Sequence, residues 1–222
     1  MKPILHVPNF ITTLNLFSGS IAVYFAFQGN FEVAFFAVIL AALFDFMDGF
    51  AARLFKAYSP MGKELDSLAD VISFGLAPGA IAFSLLEQST LPDWVKFSGF
   101  IIPVFSALRL AKFNIDERQS ESFLGMPTPA NALFWIGISY SFSPFFIGNP
   151  AITLAAILIL SGLLVSEIPM ISLKFKGLSW TKNARKYIFL AGCMVLLVFL
   201  RLDAFGFIIC WYLANAFVRI KM

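Results

Sequence analysis

Charged side chains are scarce in this sequence: only 13% of its 222 residues are Asp, Glu, Lys or Arg. A soluble domain normally carries about 25% charged residues, so the deficit argues against an ordinary soluble domain. Hydrophobic residues make up 59% of the chain, and the mean hydropathy is +0.84. The composition therefore places the chain in the membrane class.

Histidine and cysteine are also nearly absent. The one histidine, His6, has no second histidine beside it, and the two cysteines, Cys193 and Cys210, lie within apolar runs. We expect both cysteines to be buried free thiols. No Cys/His spacing typical of a zinc site is present. The formal charge of +3 is small and scattered, so nucleic acid is not an expected partner.

Long apolar runs dominate what is there. A membrane-spanning helix needs about 20 mostly apolar residues. Eight stretches approach that length, at 10–27, 33–54, 65–86, 95–110, 129–146, 151–172, 187–200 and 204–218. We predict an all-α, polytopic membrane helix bundle of about eight transmembrane helices in one domain over 1–222. The first span is expected to be a retained helix, since residues 1–8 resemble no cleaved signal peptide.

The last two predicted spans are short, and only residues 201–203 separate them. They predict a tight helical hairpin, with one long re-entrant element as the alternative.

Basic residues in the loops predict the orientation of the chain. With the N-terminus in the cytoplasm, fourteen of the sixteen basic residues lie on or near the cytoplasmic side, and only Lys96 and Arg201 fall outside. Both termini are then expected in the cytoplasm, which requires an even number of spans.

Four aspartates stand out because charged residues within membrane spans are costly and are functional candidates by default. Asp45 and Asp48 lie three residues apart near the end of the second span, and Asp66 and Asp70 lie four apart in the third. Both spacings place a pair of carboxylates on one helix face. The loop between the spans is short, so we expect antiparallel helices with the two pairs facing each other.

Carboxylates held this close repel one another, and divalent cations would remove the repulsion. Ligand sets made only of oxygen suit Mg²⁺, Ca²⁺ and Mn²⁺. Four carboxylates are enough to bridge two metals about 3.5–4 Å apart, an arrangement used in phosphoryl-type transfer. A structural polar cluster and a cation-coupled transporter are the alternatives. A transporter would place its acids near the membrane midplane rather than toward the helix ends.

Small residues accompany the aspartates. Gly49 follows Asp48, and Ala52 lies one turn away, so the helix offers a groove in which a ligand could approach its backbone. Arg53 lies beside this groove and could contact a phosphate through two hydrogen bonds. Gly62 suits a turn that opens the third span.

The spacing of these residues is D-x2-D-G-x2-A-R-x8-G-x3-D-x3-D over residues 45–70, and it resembles the signature of the CDP-alcohol phosphotransferase family at every fixed position. The resemblance implies a six-helix core over about 1–172, with an additional helix pair over about 185–220. It also implies a homodimer and two divalent metals, Mg²⁺ or Mn²⁺, in each active site.

The resemblance further implies roles for single residues. Asp45, Asp48 and Asp66 resemble the main metal ligands, and Asp70 the general base that also touches one metal. Residues that resemble the CDP-binding surface are Gly49, Ala52, Arg53 and Gly62. The segment PNFIT at 8–12, with Asn9 and Thr12, resembles the family's nucleotide-side first helix, although a simple helix start is an equal alternative.

Further stretches resemble the integral-membrane phosphatidylserine synthases within that family. They are KELDSLADVISFGLAP at 63–78, ALRLAKFN at 107–114, FLGMPTPA at 123–130 and SEIP at 166–169. This likeness implies CDP-diacylglycerol and L-serine as substrates and phosphatidylserine and CMP as products. It also implies a prokaryotic cytoplasmic membrane with the active site facing the cytoplasm. Glycerol 3-phosphate and inositol phosphate remain alternative acceptors.

A zwitterionic acceptor needs one group that binds its carboxylate and another that binds its ammonium. Arg109, at the cytoplasmic end of the fourth span, is the first candidate for the carboxylate, and Lys112 is the alternative. Glu167 and the backbone of 74–78 are candidates for the ammonium. A dianionic acceptor would require a denser basic pocket. We see no well-placed nucleophile, so direct attack is favoured over a covalent enzyme intermediate.

Overall fold

The computed structural model describes residues 7–116, 123–171 and 180–217. Its helices are α1 Val7–Phe27, α2 Phe31–Leu54, α3 Pro60–Asp70, α4 Ala77–Glu87, α5 Ile101–Ile115, α6 Thr128–Gly148, α7 Pro150–Val165, α8 Trp180–Leu200 and α9 Ala204–Phe217. A π-helical segment, Val71–Leu76, joins α3 to α4, and 3₁₀ segments, Asp93–Phe100 and Arg201–Asp203, precede α5 and α9. The predicted all-α class is confirmed.

The predicted number of eight spans is too high. Among the described residues, six helical stretches are long and apolar enough to cross a membrane: Val7–Phe27, Phe31–Leu54, Pro60–Glu87, Asp93–Ile115, Thr128–Gly148 and Asn183–Ala216. Helix α7, Pro150–Val165, is apolar but shorter. The chain is thus a multi-pass membrane protein, with six to seven candidate spans among its described residues. The last stretch takes in both predicted C-terminal spans, which is the main source of the difference.

Helix α7 ends earlier than the predicted span 151–172. A proline biases the residue before it away from helical geometry, and Pro169 lies just beyond the helix end. Residues Pro169–Met170 instead form β2, which pairs antiparallel with β1, Phe123–Leu124. Gly125 makes the junction possible because its φ is +75° and a Cβ there would lie 2.5 Å from the Leu164 carbonyl oxygen.

The predicted C-terminal hairpin is confirmed. The Trp211 Nε1 donates to the Phe189 carbonyl at 3.3 Å, and the rings of Phe189 and Tyr212 meet edge to face at 5.8 Å. Helices α8 and α9 therefore run side by side from the turn at Arg201–Asp203. Both cysteines are free thiols here, but Cys193 is half-buried and Cys210 is exposed, so the expectation of burial was wrong. Both lie in the hairpin formed by α8 and α9.

Small residues let the central helices approach closely. Ala22 and Ala26 of α1 and Ala34 and Ala41 of α2 have no exposed surface. Without a hydrophobic driving force between helices in lipid, such close packing is what holds spans together. Many large apolar side chains point outward instead, where they suit contact with lipid: Phe10, Phe17, Phe46, Phe50 and Phe55 are each about half exposed or more.

The π-helical segment begins directly after Asp70. Segments of this kind occur frequently at functional sites. Ser73 in this segment donates from Oγ to the Asn15 carbonyl at 3.1 Å, and a Cβ on Gly19 would lie 2.7 Å from the Ser73 Cα. Helix α1 is thereby held against the turn of helix that carries Asp70.

Candidate active site

The two aspartate pairs face each other, as their spacing predicted. Ser59 precedes α3 and caps it, because its side chain accepts a hydrogen bond from the Gly62 N–H at 2.9 Å. Pro60 is the first residue of the helix. This start places Asp66 beside the last turns of α2. The carboxylate oxygens of Asp45, Asp48 and Asp66 all lie within 4.8 Å of one another.

This group of three carboxylates could hold a metal ion. Asp48 is 5% exposed, and its buried Oδ2 has no hydrogen-bond partner within the described ranges. A buried charged oxygen left unpaired is strongly unfavourable. A hard divalent cation would satisfy this oxygen and offset the repulsion among the carboxylates. The residues present therefore fit a divalent metal ion.

Asp70 lies beside this group but is held differently. It is buried, and Asn15 Nδ2 donates to its Oδ1 at 3.4 Å. Its charge interacts with those of Asp45 and Asp66. Arg109 also interacts electrostatically with Asp70, from helix α5. Asp70 thus interacts both with the carboxylate group and with the buried Arg109.

An open cleft of about 280 Å³ adjoins the carboxylates. It is lined by Pro8, Asn9, Thr12, Asp48, Gly49, Ala52, Arg53, Ala57, Tyr58, Ser59, Gly62, Lys63 and Asp66. All six residues predicted to bind CDP are therefore brought together, although their role stays a prediction.

The two glycines of the signature shape this cleft in different ways. A Cβ on Gly49 would meet nothing within 4 Å, so the helix backbone is open to the cleft there. A Cβ on Gly62 would lie 2.9 Å from Asn9 Oδ1, so Gly62 lets the start of α3 approach α1. Arg53 donates from Nε to the Gly49 carbonyl at 2.9 Å, which fixes the arginine along this wall.

Thr12 fits both alternatives for the start of the first helix, which are a nucleotide-side segment and a simple helix start. Its Oγ1 donates to the Pro8 carbonyl at 3.0 Å, as an ordinary residue of a first helical turn would. Thr12 is nevertheless buried at the cleft, where its hydroxyl also lies against Asp48.

The residues predicted to bind the acceptor separate into two groups. Arg109 is 7% exposed, its Nε lacks a hydrogen-bond partner among the residues described, and its guanidinium lies 4.8 Å from the centre of the Phe113 ring. Lys112 and Glu167 pair with each other at 3.5 Å, with side chains 36% and 66% exposed. Arg109 is therefore buried, and it interacts electrostatically with Asp70, whereas the Lys112–Glu167 pair is on the surface.

Asn15 was not singled out from the sequence. Its side chain has no exposed surface, and its Oδ1 has no hydrogen-bond partner in the described part of the chain. The available signal was an uncharged polar residue within an apolar span, two turns after Pro8 on the same helix.

The sequence model of the CDP-alcohol phosphatidyltransferase family matches residues 5–218. The chain belongs to this family. The match covers nearly the whole sequence, which agrees with the resemblance carried by the signature at 45–70. Membership in the CDP-alcohol phosphatidyltransferases makes the protein an enzyme of lipid metabolism.

Curated relatives within the family share one name, CDP-diacylglycerol–serine O-phosphatidyltransferase. The Helicobacter pylori (strain 26695) protein is 33% identical over 99% of this chain and 92% of its own length. The Bacillus subtilis protein is 34% identical over 63% of this chain and 78% of its own. The Methanocaldococcus jannaschii protein is 30% identical over 76% of this chain and 78% of its own.

Proposed function

We propose that this protein transfers the phosphatidyl group of CDP-diacylglycerol to L-serine, giving phosphatidylserine and CMP. The convergence of Asp45, Asp48 and Asp66 on one wall of an open cleft, with Asp70 beside them, is the observation that carries the proposal. The shared name of the curated relatives supports serine as the acceptor.

The cofactor proposed is a pair of Mg²⁺ or Mn²⁺ ions, held by Asp45, Asp48, Asp66 and Asp70. Such ions bind a pyrophosphate and offset the negative charge that develops on it during transfer. Asp48 and Asp66 line the cleft, so both can face the pyrophosphate of a nucleotide bound there.

The cleft is proposed to bind the CDP moiety. Asn9 and Thr12 of α1 face Gly49 and Ala52 of α2 across it. Arg53 contributes positive charge near the phosphates, because only its Nε is engaged with the helix backbone. The lipid tails would extend from the cleft between helices toward the bilayer. The exposed apolar side chains of α2 suit contact with these tails.

Asp70 is proposed to accept the proton of the serine hydroxyl. The hydroxyl oxygen attacks the phosphorus that bears the lipid, a new P–O bond forms, and the bond from that phosphorus to the oxygen of CMP breaks. Asn15 orients Asp70 through its amide hydrogen bond. Arg109, buried next to Asp70, binds the serine carboxylate.

Lys112 and Glu167 are less suited than Arg109 to bind the serine acceptor, because they pair with each other at the surface. We propose for them a supporting role, in which they join the end of α5 to the segment after α7.

Orientation and assembly belong to the same proposal. The basic residues favour both termini and the active site in the cytoplasm, and the membrane proposed is a prokaryotic cytoplasmic one. A homodimer is expected from the family resemblance. One catalytic domain is proposed over 1–222, with a core over about 1–172. The C-terminal pair proposed at about 185–220 corresponds to α8 and α9.

CMP release by the purified protein tests this function. With CDP-diacylglycerol and Mg²⁺ or Mn²⁺, we expect L-serine to support CMP release and glycerol 3-phosphate and inositol phosphate not to. Release with a phosphorylated acceptor would overturn serine while keeping the family reaction. Absence of release with all three acceptors, from protein that is folded by thermal melting, would overturn the proposed reaction.

Replacing Gly49 with Ala is expected to raise the KM for CDP-diacylglycerol without lowering the stability of the fold. The added methyl group enters the open cleft without meeting protein atoms, so the KM for CDP-diacylglycerol should rise about tenfold. Stability should not fall, since Ala in a helix is about 0.5–1 kcal/mol more favourable than Gly. The measurements are initial rates of CMP release and the melting temperature.

Gly162→Ala is the matched control, because a Cβ at Gly162 in α7 also meets nothing within 4 Å. It should give a similar gain in stability with unchanged kinetics. Equal kinetics for both variants would contradict a nucleotide site at Gly49.

A further inference from the structure

A set of buried polar atoms on α5 and α6 is not used by the chemistry described above. Asn131 and Thr128 of α6 have no exposed surface, and neither does Ser106 of α5. Both side-chain atoms of the Asn131 amide and both hydroxyls lack hydrogen-bond partners among the residues that the structure describes. Since buried polar groups are nearly always hydrogen-bonded, these atoms point to a ligand.

The packing of α6 against α9 fixes the level of Asn131 in the bundle. Ser141 Oγ donates to Asp203 Oδ1 at 2.6 Å, and a Cβ on Gly206 would lie 3.2 Å from Ile138 Cγ2. The two helices are therefore antiparallel, with Ile138 opposite Gly206. Asn131 lies two turns before Ile138 on the same face, which places it at the level of Tyr212, nearly two turns after Gly206.

Tyr212 connects this level to the active site. Arg109 interacts electrostatically with Tyr212 as well as with Asp70. The Tyr212 hydroxyl donates to the Ile171 carbonyl at 3.4 Å, which anchors α9 beside the segment after α7. Asn131 and Tyr212 thus share one level of the bundle, and Tyr212 and Asp70 both interact electrostatically with Arg109 of α5.

We propose that Asn131 is a specificity-determining residue of the acceptor pocket, whose amide oxygen accepts a hydrogen bond from the ammonium group of an amino-bearing alcohol. The proposal rests on the proposed function. A neutral amide binds an ammonium without adding charge, and Arg109 binds the carboxylate, so the pocket suits a zwitterion of no net charge. Helix α9, through Tyr212, forms part of the wall.

The test replaces Asn131 with Leu, which has a similar volume and no polar atoms, and measures CMP release and thermal stability. The KM for L-serine should rise about 10- to 100-fold, as expected for the loss of a hydrogen bond to a charged group. The KM for CDP-diacylglycerol should stay within about twofold. The melting temperature should hold or rise by about 2–4 °C, because a buried unpartnered amide is removed.

Two truncated ligands, used as inhibitors of the reaction with serine, identify the group that is bound. 2-Amino-1,3-propanediol keeps the ammonium and lacks the carboxylate, whereas glycerate keeps the carboxylate and lacks the ammonium. Asn131→Leu should weaken inhibition by the aminodiol only, and Arg109→Gln should weaken inhibition by glycerate only.

Ser139→Ala, on the same helix, is the matched control because the Ser139 hydroxyl already donates to the Ile136 carbonyl. It should leave all these constants unchanged. An unchanged KM for serine in Asn131→Leu, or a fall in stability without a change in KM, would overturn the proposal. If Asn131→Leu does not fold, Asn131→Ala provides the same kinetic comparison. Failure of the wild-type protein to use serine is a separate result, which refutes the proposed function itself.

Discussion

Replacing Asp48 with Asn is expected to lower CMP release by on the order of 10³-fold, a loss of several kcal/mol of charge stabilisation in the transition state. Asp48 contributes a buried oxygen that the described residues leave unpaired, at the junction of the carboxylate group and the cleft. An amide in its place removes one negative charge from the group that is proposed to hold the metals. Initial rates over a range of Mn²⁺ concentrations measure the effect.

The stability of the same variant should change in the opposite direction. Without divalent metal, Asp48→Asn should melt at or above the wild-type temperature, because one of several mutually repelling carboxylates is neutralised. Added Mn²⁺ should then raise the melting temperature less than it does for the wild type. Asp93→Asn is the control, since this side chain is 83% exposed and pairs with Lys96. Wild-type rates in Asp48→Asn would rule out its proposed role.

Asp70→Asn is expected to lower CMP release by about 10²- to 10⁴-fold, the usual contribution of a general base. An amide in this position keeps the size of the side chain and can still pair with Asn15, but it cannot accept the proton of the serine hydroxyl. The KM values for both substrates should change little. Initial rates at saturating serine measure the effect.

Binding experiments distinguish the two aspartate variants. Asp70→Asn should retain most of the stabilisation by Mn²⁺, because Asp45, Asp48 and Asp66 still converge within 4.8 Å. Asp48→Asn should lose most of it. If Asp70→Asn loses the response to Mn²⁺ to the same extent, Asp70 is a metal ligand first, and the assignment of the base must move to another residue.

Local spacing was sufficient to predict the carboxylate site. Asp45 with Asp48 and Asp66 with Asp70 are separated by about one helical turn, so any pair of helices in this region would present them on single faces. The same holds for Gly49 and Ala52, which the structure places along one wall of the cleft. These features depend on helix geometry and a short loop, both of which are visible in the sequence.

Span lengths were predicted less well because apolar composition does not record where a helix ends. The segment after α7 contains the apolar residues Ile168, Met170 and Ile171, but Pro169 and the close approach of Gly125 turn it into a short strand. The C-terminal apolar run likewise folds back at Arg201–Asp203 into a helical hairpin. Each of these boundaries depends on contacts between residues far apart in the chain.

The sequence by itself determined the membrane class, the family signature and the position of the four aspartates, because each depends on composition or on spacing within one or two helices. Only the tertiary structure decided which polar residues join them. Arg109 was a candidate from the sequence, but no local pattern relates Asn15, on a different helix, to Asp70. The relation of Asn15 and Arg109 to Asp70 comes from how the helices pack, and packing depends on small residues and close approaches between helices.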